Sequence, residues 1–301
     1  MQLIHTQTLV MACCDDFFEK MLCGFTCGKI HSVFSNTVNL LVDKGIYAVV
    51  SGKSYLAPYT SNTEQSVNFK GLRLTQGADI AVDTNRLYLS QGTMLDLTRR
   101  KTFCLSRNSY PFHRPTLQEA IRIFDRYVGE RDVNKGCMRY YLRRYLNRQP
   151  EAEFIGDMVD RRIDQWLLYM PLGKIGFYEL EKLIGAGNGL TPAGDDFFCG
   201  FFAALDGVEH GQATKKAEDL RDYLLHRLDK LGTTDISRQM LRAHLAGLLP
   251  SPYSRLKQAF LHKPQDIPPA MKGMEAIGHS SGMDFAAGMA AALHFILENY
   301  G

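Results

Sequence analysis

The sequence predicts an α+β chain: a β-rich N-terminal sheet or small barrel over residues 1–110, then a mainly helical part over 111–301 carrying a duplicated loop–helix unit. Three observations predict it. Short β-branched segments separated by turn formers fill the chain from Ile30 to about Leu105. After Ser109 the apolar residues recur at steps of three and four. Two glycine-rich loops, finally, each lead into an alanine-rich helix. Strands first and helices afterwards, with no βαβ alternation, speak against a dinucleotide-binding parallel sheet.

The elements follow in order. Met11–Leu22 reads as a first helix. His31–Val42, Ile46–Ser51, Val67–Leu74, Asp79–Val82 and Arg86–Leu89 read as strands, divided by turns such as Asp43-Lys44-Gly45 and Asp83-Thr84-Asn85. The stretch Ser109-Tyr110-Pro111-Phe112-His113-Arg114-Pro115 breaks this pattern. Leu117, Ile121, Phe124 and Val128 then mark a helical face, and further helices are expected near 133–147, 152–168, 176–184, 192–206, 214–231, 234–248, 253–262, 268–277 and 282–298.

Composition narrows the function. Lys and Arg number 35 against 32 Asp and Glu, a net charge of +3, which is no footprint of a nucleic-acid binder. The basic, aromatic run Arg139–Arg148 is expected to be a solvated or subunit-facing helix. Seven scattered cysteines contain no Cys-x-x-Cys pair, which fits reduced thiols better than a zinc site or a disulfide framework. The longest apolar stretch, Ala286–Leu297, is too short to span a bilayer. No Lys or Arg precedes the short apolar run Leu9–Cys14, as a secretory signal would require. A cytoplasmic chain with no membrane partner is expected.

The chemistry gathers at glycines. Gly185-Ala186-Gly187-Asn188-Gly189-Leu190-Thr191-Pro192-Ala193-Gly194-Asp195-Asp196 and Gly278-His279-Ser280-Ser281-Gly282-Met283-Asp284 each open a helix. Superposed at Gly194 and Gly282, they share Gly-x-Asp-Phe-x-x-Gly-x-x-Ala-Ala-Leu, seven identities in twelve positions. This predicts two copies of one unit, related by a local pseudo-twofold. Thr191 before Pro192, and Ser280 or Ser281, are expected helix caps. A third hydroxyl-rich start lies at Gly232-Thr233-Thr234-Asp235-Ile236-Ser237.

Free backbone N–H groups at three helix N-termini suit a phosphate or carboxylate. Asp195, Asp196 and Asp284 either cap their helices or, two or three together, could hold Mg²⁺ beside a substrate phosphate. His279 is equally a turn residue or a functional one, whereas His244 and His294 suit core or interface positions. Gly185-x-Gly-x-Gly189 lacks the spacing of a nucleotide fingerprint and has no Walker lysine. Neither a Ser-His-Asp order nor a Gly-x-Ser-x-Gly elbow is present.

These residues resemble a bacterial family that includes the AllH-type subunit of oxamate carbamoyltransferase, from allantoin catabolism. Its pattern is matched by Gly185, Gly187, Gly189, Leu190, Thr191, Pro192, Asp195 and Asp196, by Thr234, Ser237 and Leu241, and by Gly278, His279, Ser280, Ser281, Gly282 and Asp284. Asn188 stands where the family commonly has proline. The likeness is specific over roughly 180–298 and general before it.

The resemblance implies a subunit acting beside others in moving a carbamoyl group between carbamoyl phosphate and oxamate. On that reading Asp195, Asp196, Asp284 and His279 are the candidate catalytic residues. Gly187, Gly189, Thr191, Gly194, Thr234, Ser237, Ser280, Ser281 and Gly282 are the candidate substrate-binding ones. A non-catalytic docking subunit and a free-standing Mg²⁺-dependent phosphate-processing enzyme are the alternatives. Self-association into a homo-oligomer is compatible with each.

Overall fold

The computed structural model describes residues 7–52, 54–90, 92–131 and 135–300. The chain divides into two compact units, Met1–Ser106 and Arg107–Gly301, each with its own hydrophobic core.

The first unit is a closed barrel. Its strands are β1 (Gln7–Asp15), β2 (Gly28–Val33), β3 (Thr37–Val42), β4 (Gly45–Val50), β5 (Thr60–Thr63), β6 (Asp79–Asp83), β7 (Arg86–Ser90) and β8 (Thr93–Asp96). They run in the order β5-β4-β3-β2-β6-β7-β8-β1, and β1 pairs back onto β5 to make an eight-stranded ring; β9 (Lys101–Phe103) lies beside β1. β1 closes the ring by changing partners. Gln7–Val10 run parallel to Thr93–Asp96, and from Met11 the strand pairs antiparallel with Ser61–Thr63 across a bulge between Met11 and Cys13. Closure pairs the eight ring strands on both sides, leaving β9 as the edge among the described residues. Leu9, Met11, Leu40, Val49, Leu87 and Leu95 fill the core.

The expected first helix is corrected here. Met11–Asp15 belong to β1, and helix α1 spans only Asp16–Cys23. Asp15 makes the switch: its carboxylate accepts from the Phe18 amide at 2.8 Å as N-cap, and from the Tyr59 amide at 2.7 Å. The expected strand Val67–Leu74 is likewise a 3₁₀ turn over Phe69–Leu72. Phe69 is its buried anchor.

The second unit is helical: α2 (Arg114–Gly129), α3 (Met138–Leu146), α4 (Phe154–Tyr169), α5 (Lys174–Leu183), α6 (Ala193–Gly207), α7 (Gly211–Arg227), α8 (Asp235–Leu245), α9 (Ser251–Leu261), α10 (Ile267–Glu275) and α11 (Ser281–Asn299). A short parallel pair, β10 (Tyr110–Pro111) with β11 (Val208–Glu209), ties the start of this unit to the segment after α6. Residues 133 and 134, inside the expected helix over 133–147, lie outside the described residues.

At its centre α6 and α11 pack on each other, and α6 is buried from Gly194 to Gly207. Small residues allow this approach. A Cβ on Gly200 would overlap the Phe285 carbonyl oxygen, and one on Gly288 would overlap that of Phe197. The contact is reciprocal, so the crossing is a pseudo-twofold between the repeated units. The symmetry extends outward: Gly194 seats against the Leu183 carbonyl that ends α5, and Gly282 against Met274 near the end of α10. Each unit is therefore helix, glycine loop, helix.

Helix α3 differs from its expected solvated placement. Tyr140 and Tyr141 are fully buried, and Arg139, also buried, pairs with Glu153 at 3.1 Å and Asp157 at 2.8 Å. Its aromatic residues are core, with the guanidinium neutralised by acids around the start of α4. Among the described residues no helix is long and apolar enough to cross a membrane.

Candidate functional site

Two helix starts, those of α6 and α8, and the first glycine loop meet around Asp195. Its carboxylate accepts from the Gly185 amide at 2.5 Å, from the Ser237 hydroxyl at 2.5 Å and from the Thr233 hydroxyl. Thr234 caps α8 by accepting from the Ser237 amide at 3.0 Å, and its own hydroxyl donates to the Leu190 carbonyl at 2.5 Å. The hydroxyl-rich start of α8 is thus fastened to the first glycine loop. Burial raises the Asp195 pKa, and these donors oppose the shift. Asp195 is a tie between loops, with no oxygen left over for a metal.

Gly185 and Gly187 earn their places by conformation. Both have positive φ, at +82° and +110°. A Cβ on the first would overlap the Gly232 carbonyl oxygen, and one on the second would press on the Ala193 amide at 2.8 Å.

Asp196, one residue on, points elsewhere. It is 1% exposed, and neither carboxyl oxygen has a hydrogen bond of regular geometry. Burial pushes its pKa well up and the charge of Asp284 adds to this; the Ser281 and Thr191 hydroxyls, which lie beside it, pull the other way. Asp284 is its mate in the repeat. One Asp284 oxygen accepts from the Cys137 amide at 2.5 Å, and the other is buried without a partner. Burial raises its pKa to about 7. Gly136 makes room for this carboxyl: a Cβ there would overlap Asp284 Oδ1.

Beside these acids lies a cavity of about 670 Å³. Both glycine loops line it, with Gly187, Gly189 and Thr191 from the first and Gly278, His279, Ser280 and Ser281 from the second. The opposite wall comes from α4, through Ile155, Gly156 and Val159, with Glu153 and Lys135 also contributing. Thr191 Oγ1 and Ser281 Oγ stand 2.8 Å apart and join the loops across the pseudo-twofold.

Placement separates the expected residues into three groups. Gly187, Gly189, Thr191, His279, Ser280 and Ser281 face the cavity. Asp196 is buried beside Thr191 and Ser281, and Asp284 is buried beside the Cys137 amide and Ser280. Asp195, Thr234 and Ser237 fasten the loops, while Gly194 and Gly282 seat helices against carbonyls.

Two expected caps are otherwise employed. Pro192 takes the cap position of α6, so Thr191 turns its hydroxyl to Ser281. Ser280 precedes α11 without a side-chain cap bond, and its carbonyl accepts from the Asp284 amide at 2.8 Å.

His244 and His294 are core residues. The first is buried with Nδ1 on the Met240 carbonyl, and the second stacks on Tyr145. Burial lowers the pKa of each to about 4. Among the described residues no cluster of three His, Cys, Asp or Glu side chains is arranged to hold a metal.

Sequence reasoning missed Gly136, Cys137 and the α4 wall. Nothing local marks Ile155 or Val159 as more than a helix face. Thr233 was within reach, because it lies in the hydroxyl run already singled out.

Comparison with curated proteins and with solved structures found no match. Two family profiles do match. Residues 9–102 correspond to the AllH family N-terminal domain, and residues 183–293 to "Oxamate carbamoyltransferase subunit AllH". The second span runs from the end of α5 into α11 and so contains both glycine loops and the α8 start. The chain contains both AllH-family domains, and its general identity is that of an AllH-family oxamate carbamoyltransferase subunit.

Proposed function

We propose that this chain acts in a multi-subunit carbamoyltransferase by holding a small phosphate- or carboxylate-bearing substrate in the cavity between its two glycine loops. The observation that carries this reading is the convergence of Gly187, Gly189, Thr191, His279, Ser280 and Ser281 on one cavity of about 670 Å³. That volume accommodates two substrates of the size of carbamoyl phosphate and oxamate together. The starts of α6 and α11 supply the positive ends of two helix dipoles, while the amides of Gly194, Asp195, Asp196, Gly282 and Asp284 are already taken by backbone carbonyls.

Carbamoyl transfer places a developing negative charge on the carbonyl oxygen, which preorganised donors stabilise without a covalent nucleophile. Thr191, Ser280 and Ser281 supply hydroxyl donors, and His279 orients the ligand or moves a proton. Asp195 holds the first glycine loop and the starts of α6 and α8 in register, with Thr234 and Ser237. Asp196 acts from behind the hydroxyls, with Asp284 as its mate. Gly194 and Gly282 set the loops close enough to share one ligand. A Mg²⁺ ion would have to come with the substrate phosphate, since Asp195 is spent on protein donors.

Thermal unfolding with carbamoyl phosphate, oxamate and nucleotides, each with and without Mg²⁺, tests this. Carbamoyl phosphate or oxamate should raise the transition, by about 2.7 kcal/mol at a hundredfold excess over Kd. No stabilisation by either would leave the docking role. One observation favours docking as a second property: Leu168, Leu172, Ile175 and Tyr178, from the end of α4 into α5, are all more than half exposed. Such large apolar side chains along one stretch suit contact with another subunit of the complex.

A further inference from the structure

The cavity proposed for the anion has little cationic help. Lys135 and His279 are the basic residues in its lining, and Glu153 lies there too. Its polar floor is the Thr191–Ser281 hydroxyl pair, in which either oxygen can be the donor. A hydroxyl pair has no fixed polarity. It is held donating into the cavity when something behind it donates to the pair, and it turns its lone pairs outward when something behind it accepts.

What lies behind it is Asp196. Both its oxygens are buried without a regular partner, and its mate Asp284 contributes a third such oxygen. The titratable and charged groups around it are Asp284 from α11, its neighbour Asp195, Cys199 one turn along α6, and Cys137 before α3. Farther out are Asp160 of α4, acting on Cys137, and Arg238 of α8, acting on Asp195. Every group named as acting directly on Asp196 is acidic or a hydroxyl, and none is a cation. Two adjacent carboxylates buried without a counter-ion cost several kcal/mol, and a protein avoids that cost by keeping a proton.

We propose that Asp196 stands as a neutral carboxylic acid whose proton sets the polarity of the Thr191–Ser281 pair, so that the pair donates into the cavity and selects an anionic ligand. Asp196 O–H donates to one hydroxyl, that hydroxyl to the other, and the last to a phosphate or carboxylate oxygen. Asp196 is therefore a positioning residue that acts through Thr191 and Ser281. The upward push on its pKa from burial and from Asp284 agrees with this. Removal of the proton reverses the chain and turns lone pairs toward the ligand. Anion binding is then linked to the titration of the Asp196–Asp284 pair.

This proposal rests on the cavity being the anion site, and the test separates the two. Binding of sulfate and of oxamate to the full chain is measured by calorimetry between pH 5 and 9, where neither anion changes its own charge. Wild-type affinity should fall by up to tenfold per pH unit once the pair loses its proton. Asp196→Asn, whose amide is a permanent donor, should bind at every pH without that slope. His279→Gln should keep the slope, which excludes the imidazole as its source. Thr191→Val should lose affinity at least tenfold, and Thr191→Ser should restore both affinity and slope. If Asp196→Asn does not fold, the Thr191 pair alone decides. Anion binding with no pH slope, or a slope unchanged in Asp196→Asn or lost in His279→Gln, overturns the polarity proposal and spares the site. No binding of either anion by wild type at any pH overturns both.

Discussion

Adjacent acids with opposite duties show how much one residue of helix phase decides. Asp195 turns to the glycine loop and the α8 start, where three donors meet it; Asp196 turns to the pseudo-twofold and meets none of regular geometry. Asp284 is intermediate, with one satisfied oxygen. Its folded-state pKa of about 7 lies above its unfolded value, so the folded state holds a proton that the unfolded chain has already released. Stability from this group is complete below about pH 4 and is lost as pH rises through 7. Asp284→Asn keeps an oxygen for the Cys137 amide and removes the titration. Urea midpoints should show the variant ahead of wild type by a few kcal/mol at pH 8, with the gap closing toward pH 5. An equal gap at both values would mean that Asp284 is not the titrating group. The sequence made the acids conspicuous, but their division of labour depends on groups far along the chain, Cys137 and Ser237, that no spacing rule connects to them.

The central elements are two helices brought together by glycine. Gly200 and Gly288 each lie under the partner's backbone carbonyl, at Phe285 and Phe197. An added methyl cannot be absorbed by a side-chain rotation there, because backbone opposes it. Gly200→Ala and Gly288→Ala should each cost roughly 3 kcal/mol, the upper range for overpacking a core, despite alanine's better helix propensity. Gly273, with only the Pro252 side chain at 3.9 Å, is the control: Gly273→Ala in α10 should be neutral or stabilising by up to about 1 kcal/mol. Denaturation midpoints of the three variants decide this. The repeat itself was legible, since Gly200 and Gly288 fall in register with the paired Asp and Phe residues. Most other helices over 114–299 were legible because they bury one face and show a period, whereas α6 and α11, buried nearly all round, were marked by the repeat itself. Strand β1 was not. Phe17, Phe18, Met21 and Leu22 of α1 continue its apolar run, and nothing before Asp15 announces that the backbone changes there. The 3₁₀ turn at Phe69–Leu72 misled in the same way, since one deeply buried Phe among apolar neighbours looks like a strand.

Each unit carries a complete core of its own. Residues 9–97 supply one, built on Leu40, Val49 and Leu95, and residues 117–296 supply the other, built on Trp166, Phe197 and Phe285. A barrel closed on itself and a helical unit with its own packed centre each bury enough to unfold as a cooperative block. We therefore expect scanning calorimetry of the intact chain to resolve two transitions that respond to different changes. Val49→Ala removes two methyls from the barrel core, at roughly 2 kcal/mol, and should lower one transition by about 8–16 °C. Gly200→Ala acts in the larger unit, where roughly 3 kcal/mol corresponds to a drop of about 6–12 °C, and should leave the barrel transition in place. Carbamoyl phosphate supplies the opposite perturbation. Every residue lining the cavity belongs to Arg107–Gly301, so the ligand should raise only the transition that Gly200→Ala lowers. A single transition moved by all three would mean that the units fold as one. Ligand stabilisation confined to the barrel would place the substrate away from the glycine loops.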